Sequence, residues 1–101
     1  MAVKSSISDD GKMVLIQVDG KFDFSLHRDF REAFNETVGA GVVYIVDLRA
    51  TEYLDSSALG MLLLLKEHAG GGAGNVTIKN CNSDVLSILK TANFDKLFDI
   101  S

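Results

Sequence analysis

The chain has 101 residues, 47% of them hydrophobic and 24% charged. Those shares fit one soluble globular domain, residues 1–101, and exclude disorder and a second core, since a chain of this size buries roughly two-thirds of its unfolded surface. Ten Lys and Arg against 14 Asp and Glu leave a formal net charge of −4, which excludes nucleic acid and an anionic membrane as partners, because both draw affinity from clustered positive charge.

The first strong element is Met13–Val18, β-branched and aliphatic, entered from the turn Asp9-Asp10-Gly11 and left at Asp19-Gly20. It reads as a strand, with Val3–Ser8 as its hairpin partner. Ser25 is the expected N-cap of a helix with Leu26, Phe30, Ala33, Phe34 and Thr37 on its apolar face, stopped by Gly39 and Gly41. Val42–Leu48 is a continuous apolar run ending in Asp47 and Leu48, the pattern of a central strand covered on both faces. A short polar loop leads to Ser56–Ala69, apolar on nearly every side and therefore expected to be buried all round. Gly70–Gly74 is a loop without the Gly-Lys-Ser or Gly-Lys-Thr of a phosphate cradle. Asn75–Lys79 is a short strand. A third helix starts near Ser83 with the stripe Val85, Ile88, Leu89 and Ala92. Phe94, Leu97, Phe98 and Ile100 close the chain and add an edge strand.

This alternation predicts an α/β fold whose mixed sheet uses parallel crossovers. Function in such sheets collects where strands end and helices begin, which selects Lys21–Phe24 and Arg49–Ser57. Asp55 or Ser56 caps the Leu-rich helix, and Ser56 and Ser57 fall in its first turn. The pair reads either as a cap alone or as a modifiable site. Unpartnered N–H groups and the helix dipole favour negative charge there by about 0.3–1 kcal/mol. A phosphate of about −1.5 to −2 charges is thus tolerated by its own molecule and disruptive to a partner packed on it. Asp23 reads equally as a turn acid or as a surface group beside the serines. Of Phe22 and Phe24, one is expected to face solvent as an anchor for a partner.

Catalysis finds little support. Ser56 and Ser57 lack a Gly-x-Ser-x-Gly frame, and His68 lies roughly 18 Å along the same helix. His27, His68 and Cys81 have no ligand spacing, so no metal is assigned. The lone Cys81 cannot close an internal disulfide and reads as a small buried residue. Met1–Ser6 is not the start of a secretion signal, and the longest apolar stretch, Met61–Leu65, is far short of the ~20 residues that cross a bilayer. A cytoplasmic location is expected.

Asp55-Ser56-Ser57-Ala58-Leu59-Gly60, following a strand that ends Val46-Asp47-Leu48, resembles the Asp-Ser-(Ser/Thr)-Gly-Leu-Gly signature of STAS-domain anti-sigma factor antagonists. Gly20-Lys21-Phe22-Asp23 is similar to the family's Gly-x-(aliphatic or aromatic)-Asp segment, and the order of elements agrees end to end. The resemblance implies the STAS fold: a mixed sheet of four or five strands, three main helices, and a single helix layer largely on one face. It implies a non-enzymatic switch with no cofactor of its own. The dephosphorylated chain binds an anti-sigma factor with serine kinase activity and frees a sigma factor, phosphorylation prevents binding, and a PP2C-type phosphatase restores it. The implied phosphoacceptor is Ser56, with Ser57 as the alternative. The implied partner surface is Phe22, Asp23, Phe24, Tyr53, Asp55, Ser56, Ser57 and Leu59. Ala58 departs from the family's glycine and stiffens the helix start. The free chain is expected to be monomeric. The rival reading on the same fold is a constitutive STAS subunit of a larger complex, such as a lipid-transport ABC system.

Overall fold

The computed structural model describes residues 2–35, 42–70 and 75–100. In chain order the elements are β1 (Val3–Ile7), β2 (Met13–Val18), β3 (Gly20–Phe22), α1 (His27–Asn35), β4 (Val43–Asp47), β5 (Thr51–Leu54), α2 (Ser56–His68), β6 (Val76–Lys79), α3 (Ser83–Thr91) and β7 (Asp99–Ile100). Short 3-10 turns lie at Phe24–Leu26 and Phe94–Lys96. The expected stop at Gly39 and Gly41, Thr37, and most of the glycine run fall outside the described residues.

The main sheet has the order β1-β2-β4-β6-β7. β1 and β2 form the expected antiparallel hairpin, Val3 opposite Val18 and Ile7 opposite Val14. Its turn is held by Ser8 and Asp10: the Ser8 hydroxyl donates to the Asp10 carboxylate at 2.6 Å and accepts from the Met13 N–H at 3.0 Å. The other neighbours pair in parallel, including the short C-terminal edge strand.

Register explains the core. Val14, Tyr44 and Val76 form one row across the sheet, and Ile16, Val46 and Ile78 the next. All six are buried, and they join Phe30 and Phe34 of α1, Ala58, Met61, Leu62 and Leu65 of α2, and Val85 and Leu89 of α3 in one cluster. The helices therefore cover a single face.

The run Val42–Leu48 does not mark a strand covered on both sides. Along β4, Tyr44 and Val46 are buried while Val43, Ile45 and Asp47 are half-buried. Branched side chains suit a strand on either face, so the outward Val43 and Ile45 mimic double coverage in the sequence. α2 is corrected in the same sense. Its inner side is buried, but Leu63 and Leu64 are 41% and 45% exposed. A helix apolar all round is here packed on one side only.

Candidate functional site

The two segments selected at the strand ends meet in a feature too short to read from periodicity. β3 and β5 pair in parallel as a separate two-stranded sheet, Lys21 opposite Tyr53 and Phe22 opposite Leu54. The stretch read as a polar loop thus contains a strand. Phe22 and Leu54 point into the core, Phe22 with its ring 5.0 Å from that of Phe30.

Thr51 anchors the start of β5. It is buried, and its hydroxyl donates to the Val18 carbonyl at 2.7 Å. Asn82 ties the same residue to α3: its amide donates to the Thr51 carbonyl at 3.0 Å while its oxygen accepts from the Val85 N–H at 2.8 Å and caps the helix. Both bonds hold the serine-bearing turn to rigid elements.

Past the pair Phe22–Leu54, the Asp55 N–H donates to the Phe22 carbonyl at 3.3 Å. Asp23 and Asp55 consequently follow side by side, and each carboxylate caps a helical turn. Asp55 accepts from the Ala58 N–H at 3.0 Å, so Asp55 is the cap of α2 and Ser56 its first helical residue. Asp23 accepts from both the hydroxyl and the N–H of Ser25. Ser25 is therefore not the N-cap expected from the sequence. Asp23 caps the 3-10 turn, which runs on into α1 at His27. The Ser25 hydroxyl, then its N–H, hold the Asp23 carboxyl below the usual carboxylate range.

The expected partner surface divides by exposure. Phe24 is 67% and Tyr53 49% exposed, and Ser56 is exposed, while Asp23, Asp55, Ser57 and Leu59 are half-buried. Phe22 is wholly buried, because alternation along β3 and the 3-10 turn sends Phe22 inward and Phe24 outward. Its place on the surface is corrected: it supports the site from below.

Sequence reasoning missed the outer face of α2. Ser56, Leu59, Gly60, Leu63 and Leu64 recur at i, i+3, i+4, i+7 and i+8, one stripe of a helix, with Gly60, Leu63 and Leu64 exposed. The spacing was available, but an all-apolar helix hides which side stays open. Beside the stripe lies a groove of about 280 Å3 lined by Phe24, His27, Ser57, Gly60, Met61 and Leu64. The rings of Phe24 and His27 stack 5.4 Å apart along its edge.

The remaining candidates lie in structural roles. The His68 ring packs 5.0 Å from Phe34 and 5.9 Å from Tyr44. Cys81 is half-buried, and burial, with the Asp47 charge second, pushes its thiol up. No helix among the described residues is long and apolar enough to cross a membrane.

A family model described as "Mlab, STAS domain" matches residues 5–99. A STAS-domain containing protein of Pseudomonas aeruginosa (strain UCBPP-PA14) is 48% identical over 101 residues, covering 100% of both chains. Among solved structures, the anti-sigma factor antagonist SpoIIAA in its unphosphorylated form superposes with a TM-score of 0.74 at 18% identity, covering 99% of this chain and 87% of that one. A sulfate transporter family protein from Wolinella succinogenes superposes with a TM-score of 0.73 at 12% identity, covering 90% of this chain and 73% of that one. Both structures share the fold.

Proposed function

The chain belongs to the STAS-domain family, and on that footing we propose that it is an anti-sigma factor antagonist switched by phosphorylation of Ser56. The unphosphorylated chain binds an anti-sigma factor that is also a serine kinase and so releases a sigma factor. The phosphorylated chain does not bind, and a PP2C-type phosphatase reverses the change. ATP belongs to the kinase, and this chain performs no chemistry. It acts in the cytoplasm and is monomeric when free.

The observation that carries this reading is the position of Ser56. Its residue is exposed, Asp55 already caps the helix, and the outer apolar stripe of α2 begins at Ser56. A partner that covers Leu59, Leu63 and Leu64 covers Ser56 as well. The first turn of α2 accepts a phosphate through its outward N–H groups and helix dipole. Under an apolar partner the same phosphate is a buried charge, which is costly unless paired. One modification is therefore tolerated by the chain and rejected by the complex. The contact surface comprises Asp23, Phe24, Tyr53, Asp55, Ser56, Ser57 and Leu59, with Phe22 beneath. SpoIIAA, described as an anti-sigma factor antagonist, supports the reading at the level of the shared fold.

The second reading on the same fold is a constitutive STAS subunit of a larger complex, such as a lipid-transport ABC system; a sulfate transporter family protein shares that fold. Affinity capture with wild type and Ser56→Asp separates the two. A serine kinase retained by wild type and lost by Ser56→Asp supports the switch. A partner held equally by both overturns it in favour of the constitutive subunit.

A further inference from the structure

β1 is an edge strand: it pairs with β2 and, among the described residues, with no strand on its other side. The Ala2 carbonyl accepts from the Asp19 N–H at 2.7 Å, and the Ser8 N–H donates to the Met13 carbonyl at 2.9 Å. An antiparallel ladder turns every second residue towards its neighbour, so Ala2, Lys4, Ser6 and Ser8 face β2. Val3, Ser5 and Ile7 present their backbone groups outward. Their side chains share the face of the sheet that packs on the helices, where Val3 is buried and Ile7 is 57% exposed. Proline, bulges and charges normally blunt such an edge. β1 has neither proline nor bulge, and its single charge, Lys4, lies on the opposite face. Beside the edge is a cavity of about 170 Å3 lined by Val3, Ser5, Asp29, Glu32 and Ala33. Its walls carry two carboxylates and no cation.

We infer that the β1 edge receives an extended segment of another protein, with a Lys or Arg side chain of that segment in the cavity beside Asp29 and Glu32. A strand added to a sheet gains affinity from main-chain hydrogen bonds and specificity from pockets for alternate side chains. Residues directly opposite each other in a ladder point to the same face. A side chain opposite Val3 or Ser5 therefore lies over the cavity, and one opposite Ile7 meets an apolar surface. The segment so defined carries a basic residue two or four positions from an aliphatic one. Charge selects this occupant over a second copy. Two β1 edges paired antiparallel about Ser5 would bring the Asp29 and Glu32 walls of both copies together, and such like-charge juxtaposition is costly. None of these residues belongs to the surface around Ser56, so the contact is independent of the switch.

The test titrates blocked heptapeptides of alternating Thr and Val, with Arg, Glu or Leu at the central position, into the full chain and follows its amide NMR signals. The Arg peptide is expected to shift the N–H signals of Val3, Ser5 and Ile7 saturably and to bind at least tenfold more tightly than the Leu peptide. The Glu peptide is expected not to bind. Asp29→Asn combined with Glu32→Gln is expected to abolish the preference for Arg. Ser5→Pro removes an outward N–H, which an edge strand tolerates. It is expected to weaken binding of the Arg peptide at least tenfold with an unchanged fold. Ser56→Asp is expected to bind that peptide as wild type does. If the three peptides bind alike, or the Arg peptide binds elsewhere or not at all, the inference is overturned and the switch is untouched. If Ser56→Asp loses the peptide, binding belongs to the serine surface and the inference fails. If sedimentation shows a wild-type dimer that Ser5→Pro abolishes, the edge belongs to a second copy and the inference is overturned. Where Ser5→Pro unfolds, the Asp29 and Glu32 double variant decides.

Discussion

The N–H of Asp55 donates to the carbonyl of Phe22 across 3.3 Å. This bond carries the β3–β5 ladder one step past the pairing of Phe22 with Leu54, and it aligns two helix starts. Asp23, which opens the turn into α1, and Asp55, which opens α2, stand next to each other because their strands are in register. The candidate surface depends on that short ladder, and the following predictions probe it.

Asp55→Ala removes the acceptor of the Ala58 N–H. Losing such a cap costs about 1 kcal/mol, which for a domain of this size lowers Tm by about 4–8 °C. Asp55→Asn, which caps equally well, is expected to stay within a degree or two of wild type. Thermal unfolding followed by circular dichroism checks both, and an unchanged Tm in Asp55→Ala removes the cap from the account of the site.

Phe22 and Phe24 are expected to separate stability from binding. Phe22→Ala empties a fully buried position against Phe30 and costs about 3–5 kcal/mol. Phe24→Ala changes a residue that is 67% exposed and moves stability by no more than about 0.5 kcal/mol, yet weakens capture of the partner. Urea unfolding with a pull-down on the same samples decides the matter. Equal binding by Phe24→Ala takes that ring out of the interface.

Thr51→Val preserves shape but leaves the buried Val18 carbonyl without the 2.7 Å bond from the Thr51 hydroxyl. The expected cost is about 1–3 kcal/mol. Amide exchange at Leu54 and Asp55 is expected to quicken, because β5 loses its tie to β2. Exchange rates unchanged there show that the β3–β5 pairing and the Asn82 contact hold the strand without the Thr51 bond.

Acid sensitivity is expected to involve Asp23. Hydrogen bonds from the Ser25 hydroxyl and then its N–H lower its folded-state pKa below the ordinary 3.8. The folded chain thus binds this proton less readily than the unfolded one. Its contribution is complete above the ordinary value and is lost as pH falls through the lowered one. Asp10, held down by the Ser8 hydroxyl and then the Lys12 N–H, acts with the same sign in the β1–β2 turn. Tm measured from about pH 5 to about pH 2 is expected to fall less steeply for Asp23→Asn than for wild type. Parallel curves exclude Asp23 from the acid response.

Ser56→Ala is expected to accept no phosphate from the cognate kinase and to bind it constitutively, while Ser57→Ala still accepts one. The basis is that Ser56 is exposed and Ser57 is half-buried on the groove wall. Intact-mass measurement after incubation with kinase and ATP, followed by phosphopeptide mapping, gives the answer. A label on Ser57 reverses the assignment.

Periodicity was enough to read the hairpin, the parallel strands of the main sheet, the helices and the C-terminal edge strand, because burial of one face imposes a repeat of two or 3.6 residues on the chain. The signature around Ser56 was equally legible, since it is local and contiguous. Three things were not. The β3–β5 pair was one: β3 is only Gly20–Phe22 and β5, Thr51–Leu54, is buried only at its two ends, so neither has a period to detect. Whether Asp23 or Ser25 caps the turn depends on backbone angles that both residues could satisfy. Which side of the Leu-rich helix stays open, and with it the stripe Leu59, Gly60, Leu63 and Leu64, depends on where α1 and the sheet lie. Local pattern records what each residue prefers. Coverage is a property of neighbours brought from elsewhere in the chain, so only the packed molecule turns an apolar helix into one buried face and one available to a partner.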